Sequence, residues 1–259
     1  MDHRRRLLLV WQLARREVEA RYRGSTFGLV WSIANPLMML AVFTFVFGVV
    51  FQARWGQGGS TLDFALVTFA GLVVFNLFAE VANKAPALIT GQPNLVKKVV
   101  FPLAILPVVI TAAALFHTAI ALVLLLVFQL TLGSGWHATV LFTPVLMLPL
   151  VAFTLGLAWF LAALGVYLRD VAQVVGPVTT MLMFLSPIFY PVSALPDWLR
   201  PLAALSPLAM TIEQVRGALV FGLWPDPGAF ILALAIGLGV AALGLAFFRR
   251  TRGGFADVL

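Results

Sequence analysis

Residues able to do chemistry are few in this sequence, and they are scattered. The acidic residues are Asp2, Glu17, Glu19, Asp63, Glu80, Asp170, Asp197, Glu213, Asp226 and Asp257. Apart from Glu17 and Glu19, no two stand close enough in sequence to form a carboxylate pair for metal binding or acid–base work. His3, His117 and His137 are too dispersed for a metal site or a nucleophilic triad. With no cysteine, disulfides, thiolate ligands and cysteine nucleophiles are excluded. No G-x-x-x-x-G-K-[ST] loop occurs, so the chain does not cradle ATP by that route.

What remains is charge placed inside apolar runs, and aromatic surface. Glu80 falls near the end of one run and His117 in the middle of another, and ionisable groups at membrane depth are functional candidates by default. A structural reading stands beside each. Lys84 is four residues after Glu80, the spacing of an ion pair on one helix face, and a neutral His117 can hydrogen-bond to a neighbouring helix. Phenylalanine occurs 22 times. Phe43, Phe47 and Phe51 recur every four residues on one face, a flat apolar surface along which an amphipathic chain could slide, or a stripe that packs against lipid and other helices.

The elements that carry these residues are membrane helices. Of 259 residues, 62% are hydrophobic and 10% charged, with mean hydropathy +1.03; soluble domains run near 45–50% and about 25%. Runs long enough to cross a hydrocarbon core of about 30 Å occur at 31–51, 64–83, 103–132, 140–166, 171–191 and 229–248. The expected fold is therefore all-α and integral to the membrane, one transmembrane domain over 1–259 with six transmembrane helices. Trp31 and Trp55 bracket the first run as interfacial anchors. That run is long enough to span, no small-residue cleavage site follows it, and it reads as an uncleaved span.

Positive charge tests this count. Arg4, Arg5, Arg6, Arg15, Arg16, Arg21, Arg23, Lys84, Lys97, Lys98, Arg169, Arg249, Arg250 and Arg252 fall on one side, and Arg54, Arg200 and Arg216 on the other. Basic residues are retained in the cytoplasm, so both termini are expected there. The net charge of +7 sits at span ends and forms no basic and aromatic face, which excludes nucleic acid as a partner.

Two further segments stand out. In residues 4–23, Leu7, Trp11, Ala14, Val18 and Tyr22 form one face opposed by Arg15, Arg16 and Glu19, an amphipathic helix lying along the cytoplasmic surface. Residues 192–228 are semi-apolar and broken by Pro196, Pro201, Pro207, Pro225 and Pro227. They are expected to dip into the membrane and return as a re-entrant helical pair between the fifth and sixth spans, which irregular backbone can do only beside protein or water. The competing reading is a proline-rich external loop on the headgroups.

Four stretches carry a family resemblance: EVEARYRGSTFGLVWSIANPL at 17–37, NLVKKVVFPLAILPV at 94–108, the proline-rich stretch from Arg169 to Leu219, and FFRRTRGGFADVL at 247–259. In these the chain resembles the permease subunits of ABC-type exporters of lipid-linked polysaccharide, which move O-antigens, capsular polysaccharides and teichoic acids. The resemblance implies a homodimer in the bacterial inner membrane, with two copies of a separate cytoplasmic ATPase that binds ATP and Mg; no cofactor or metal is expected in this chain. It implies that Trp11, Arg15, Lys84, Asn94, Lys97 and Lys98, on the N-terminal helix and the coupling loop 84–102, dock the ATPase. It also implies a translocation path past Phe43, Phe47, Phe51, Phe184 and Tyr190, and an external gate at Pro196, Trp198, Arg200 and Pro201. Arg21 and Arg23 are candidates to meet the lipid pyrophosphate, since arginine pairs phosphate oxygens bidentately.

Other functions fit less well. An exporter of a drug or small lipid with the same architecture is not separable by sequence. An ion-coupled carrier would need intramembrane acids and repeated halves, and a membrane glycosyltransferase or phosphatase would need interfacial clusters that are missing.

Overall fold

In bilayer hydrocarbon every backbone amide must be satisfied within its own segment, so apolar runs of this length become helices. The computed structural model describes residues 3–24, 26–51, 55, 61–97, 101–133 and 135–259, and among these there are helices and no strands. In chain order they are α1 His3–Tyr22, α2 Trp31–Phe43, α3 Thr61–Lys84, α4 Pro93–Lys97, α5 Ile105–Leu132, α6 Thr143–Leu146, α7 Leu148–Tyr167, α8 Val171–Leu185, α9 Arg200–Leu205, α10 Pro207–Val220, α11 Pro227–Thr251 and α12 Phe255–Val258.

Five stretches among the described residues are long and apolar enough to cross a membrane: Trp31–Val50, Leu62–Ala87, Ile105–Thr131, Ala138–Tyr167 and Pro227–Val258. The expected fifth span, 171–191, is different. Its helix stops at Leu185 after 15 residues, about 22 Å at 1.5 Å per residue. The cause is local: Ser186 precedes Pro187 and adopts ψ 151°, the extended conformation forced on a residue before proline.

α3 is the axis of the bundle. Of its span 83% is buried, against 6% for α2, and α5, α7, α8 and α10 all pack on it. Gly71 in α3 admits two close neighbours, since a Cβ there would stand 3.3 Å from Ile188 and 3.5 Å from Ile212. α2 lies at the edge, and its continuation Thr44–Val50 widens into a π-helix. Trp55, expected as an interfacial anchor, meets the Phe64 ring near the start of α3, with ring centroids 6.3 Å apart.

α7 and α11 form the most extensive helix pair, and small residues explain the closeness. A Cβ on Gly244 would overlap the Gly156 backbone, and one on Gly237 would meet the Pro149 carbonyl at 2.5 Å. Small residues let helix backbones approach where no hydrophobic drive exists between helices in lipid. These pairings, Pro149 with Gly237 and Gly156 with Gly244, advance together along both chains, so α7 and α11 run parallel. Asn83 with Thr179 and Gly71 with Ile188 run oppositely, so α8 is antiparallel to α3.

Candidate functional site

At the basic end of the bundle α1 packs against α5 through Ala14 and Tyr22, both buried, while Leu7, Leu8 and Trp11 stay exposed. This docking carries charged groups into one joint. Arg21 on α1 stands 2.8 Å from Glu80 on α3. Lys84 bridges Glu80 at 3.3 Å and Glu17 of α1 at 3.0 Å. His117 of α5 places Nδ1 3.1 Å from Glu80 and 3.0 Å from the Arg21 guanidinium. The Tyr22 ring meets His117 edge-on at 5.9 Å, and burial pushes its phenol above the ordinary value. A carboxylate only 16% exposed is held there by cations from its own helix and from α1, as a charge out of water requires.

Above the joint opens a cavity of about 680 Å³ between α2, α3 and α5. Its floor is Arg21, Glu80, Asn83, Lys84 and His117, and its wall is apolar with Met38, Met39, Val42, Leu72 and Val73. A polar floor under an apolar wall suits an amphipathic ligand whose charged head meets the joint while its chain stays in lipid-like surroundings.

Further along α2 the aromatic residues form a column. Phe47 stacks on Phe43 at 5.9 Å and on Phe189 at 4.9 Å and meets Phe51 at a tilt at 5.8 Å, and Phe189 reaches Phe43 at 5.3 Å and Phe184 at 5.8 Å. The Tyr190 hydroxyl donates to the Phe184 carbonyl at 2.8 Å. The structure thus gathers Phe43, Phe47 and Phe184 around one ring absent from the sequence-derived set, Phe189, with Phe51 joined through Phe47 and Tyr190 through the Phe184 carbonyl.

Residues 8–220 match the family described as ABC-2 type transporter. The chain belongs to that family. Among similar proteins, the O-antigen export system permease protein RfbA of Myxococcus xanthus is 29% identical over 253 residues, covering 96% of this chain and 94% of the relative. A protein of the same name from Klebsiella pneumoniae is 24% identical over 248 residues, covering 95% and 93%.

In this ABC-2 transporter chain the remaining sequence-derived candidates fall on two surfaces. At the basic end, Arg15 is exposed and pairs with Glu19 at 2.8 Å, Trp11 is 69% exposed, Arg23 is exposed, and Asn94 and Lys97 are exposed on α4. Lys98 lies outside the described residues. Arg21, a pyrophosphate candidate, is engaged by Glu80 and His117, whereas Lys84 belongs to the joint more than to a free docking face.

At the opposite end Arg200 braces its own loop: it donates to the carbonyls of Leu195 at 2.9 Å and Ser193 at 2.8 Å, and pairs with Asp197 at 2.7 Å. Pro196 and Pro201 are exposed, and Trp198 projects with 71% of its surface free. The ABC-2 chain hides one further determinant there. Arg216 of α10, 1% exposed, donates to the Pro187 carbonyl at 2.8 Å, pairs with Glu213 and lies 4.3 Å over the Trp55 ring. Its one legible signal is a single basic residue in an apolar stretch, which charge counting assigned to the external side.

Proposed function

We propose that this chain is the membrane-spanning, channel-forming subunit of an ATP-driven exporter that moves a lipid-linked, O-antigen-like polysaccharide across the bacterial inner membrane. It works as a homodimer with two cytoplasmic ATPase subunits that hold ATP and Mg. The names of its near-full-length relatives support the cargo. The observation that carries the reading is the continuity between the cavity over the Arg21–Glu80 joint and the aromatic column from Phe43 to Phe51, since both use the largely uncovered helix α2. A charged lipid head would meet the basic floor, with Arg21 and Arg23 as its contacts, and the glycan would pass over rings that grip without directional bonds. A second copy of the chain would close the exposed side of α2 and α8.

Six crossings fit this reading better than five. The parallel course of α7 and α11 supports a return of the chain to its starting face between them, with α8, antiparallel to α3, as the crossing segment and its short helix extended by the non-helical residues 186–191. The re-entrant reading is supported by depth. Ile212 of α10 stands against Gly71, nine residues into the span that begins at Leu62, or roughly 13 Å from its end, whereas Thr139 and Gln129 near that end bond to the carbonyls of Ala218 and Val220. On this reading helix α10 rises from mid-depth to the surface, and Pro196, Trp198, Arg200 and Pro201 would sit at the external mouth as a gate. With both termini cytoplasmic, α1 lies along the inner surface, and Trp11, Arg15, Lys84, Asn94, Lys97 and Lys98 would face the ATPase.

The test is reconstitution. Coexpressed with the ATPase from the same cell and placed in proteoliposomes, the complex should move lipid-linked glycan on ATP addition, with hydrolysis stimulated by that glycan. An ATPase that never copurifies would remove the reading, and stimulation by small lipids or drugs alone would replace the cargo.

A further inference from the structure

The segment FFRRTRGGFADVL, conspicuous in the sequence, takes no part in the path, the gate or the joint, yet its second half is built into the protein. Phe255 is 0% exposed. Its ring meets Phe248 edge-on at 5.5 Å and Tyr167 at 6.0 Å. The Tyr167 hydroxyl donates to the Thr251 carbonyl at 2.7 Å, so the end of α7 grips the end of α11. Gly254 lets the chain pass this hydroxyl, for a Cβ there would stand 2.7 Å from it.

The core that Phe255 completes is separate from the main one. It joins Phe248 and Phe255 to Ile89, Leu103, Leu106, Trp159 and Val166, with Leu95 and Val96 of α4 packed against it. Most of these partners belong to or flank the loop 84–102. Among its described residues the loop begins at a 3-10 turn, Ala85–Ala87, with Ala85 in the main core and Pro86 pressed against Gly165, where no Cβ fits, and then passes to the five residues of α4. A helix of five residues does not stand alone in water, so its position is set by what it packs on. Contacts of α12 with α4 and α7 and a cleft of about 330 Å³ walled by Pro93, Thr90, Arg169 and Val258 place the segment beside the exposed face of α4.

We infer that Arg252–Leu259 is a positioning brace for the ATPase-docking loop, with Phe255 as the residue through which it acts on α4. This rests on the docking reading of that loop. A loose α4 still binds a partner but transmits the partner's closure poorly, because coupling travels only through packed elements with defined arrangements. The brace therefore governs how much transport each ATP yields, and not whether the complex assembles.

The experiment compares the full-length chain with Phe255→Ala, with a variant lacking residues 255–259, and with Phe255→Leu as the conservative variant, all in nanodiscs. Without ATPase, amide exchange at residues 93–97 should quicken in the first two and stay slow in Phe255→Leu. With ATPase, all four should copurify it equally. Glycan exported per ATP hydrolysed should then fall roughly three- to thirty-fold in the first two and return in Phe255→Leu. Unchanged exchange together with an unchanged transport ratio would overturn the brace. Should the wild-type chain bind no ATPase, the docking reading falls, and the exchange measurement still decides whether Phe255 holds α4.

Discussion

The guanidinium of Arg21 and the carboxylate of Glu80 meet at 2.8 Å, and through this pair the N-terminal helix α1 is tied to α3, the most buried span among the described residues. Lys84 and His117 share the same carboxylate. Replacing Glu80 by glutamine leaves three basic groups facing one another, and loss of a charged partner in a half-buried site costs about 2 kcal/mol. Thermal unfolding in detergent should show that loss. Arg21→Gln combined with Glu80→Gln should cost less than the two single changes added together, because the second removes an already broken pair. Strict additivity would mean that the pair does not tie α1 to α3.

The glycines of the bundle separate into those that admit a side chain and those that do not. Gly244→Ala drives a methyl into the Gly156 backbone, and Gly165→Ala drives one into the Pro86 carbonyl, whereas at Gly239, on the same helix as Gly244, nothing stands within 4 Å. The first two should destabilise by roughly 1–3 kcal/mol and lower the yield of folded protein from detergent. Gly239→Ala should be neutral or slightly stabilising, since alanine is the better helix former. Equal behaviour of Gly244→Ala and Gly239→Ala in a thermal-shift assay would contradict the close α7–α11 pairing.

How much of this was legible in the sequence depended on the range of the interaction. Five apolar stretches could be found from hydropathy because the bilayer imposes one length on all of them, and the four-residue spacing of Phe43, Phe47 and Phe51 reports a local geometry that any helix obeys. The pairing of Glu80 with Lys84 was visible for the same reason, but Arg21, which stands closer to Glu80, was not, because nothing local announces a partner on another helix. The shortened α8 followed from Ser186 and Pro187, a signal present in the sequence but outweighed by the apolar run around it. Phe189, at the centre of the aromatic column, lies beyond the end of α8, where helical spacing no longer says which way a ring points.

Arg216 was hidden for a different reason. Charge counting treats every arginine as a marker of water, yet this one is buried against Pro187, Glu213 and Trp55. Three partners in three directions use the planar fork, which lysine cannot reproduce. Arg216→Lys should therefore destabilise nearly as much as Arg216→Met, and Arg216→Met by roughly 3 kcal/mol, within the range for removing one member of a buried pair. The loosening should be local, read as faster proteolysis within 186–226 from the external side while the other spans stay protected. Wild-type resistance in Arg216→Lys would mean that charge alone, without the fork, holds α10.

Among the described residues Phe47 touches more rings than any other member of the column, with Phe43, Phe51, Phe64 and Phe189 all within 6.1 Å, whereas Phe184 touches one ring, Phe189, and is 54% exposed. If the column is a sliding surface, its continuity matters more than any one contact. Phe47→Ala should break it in the middle and Phe184→Ala should only trim its edge. An aromatic contact worth about 1 kcal/mol corresponds to roughly a fivefold change in rate. Export by Phe47→Ala should fall by at least that factor while basal ATP hydrolysis by the assembled complex persists, and Phe47→Trp, which keeps a flat face, should recover most of it. Phe184→Ala should stay within about twofold of wild type on the same scale. If Phe47→Ala exports normally, or if it loses transport only in proportion to protein missing from the membrane, the column is packing and not a sliding surface.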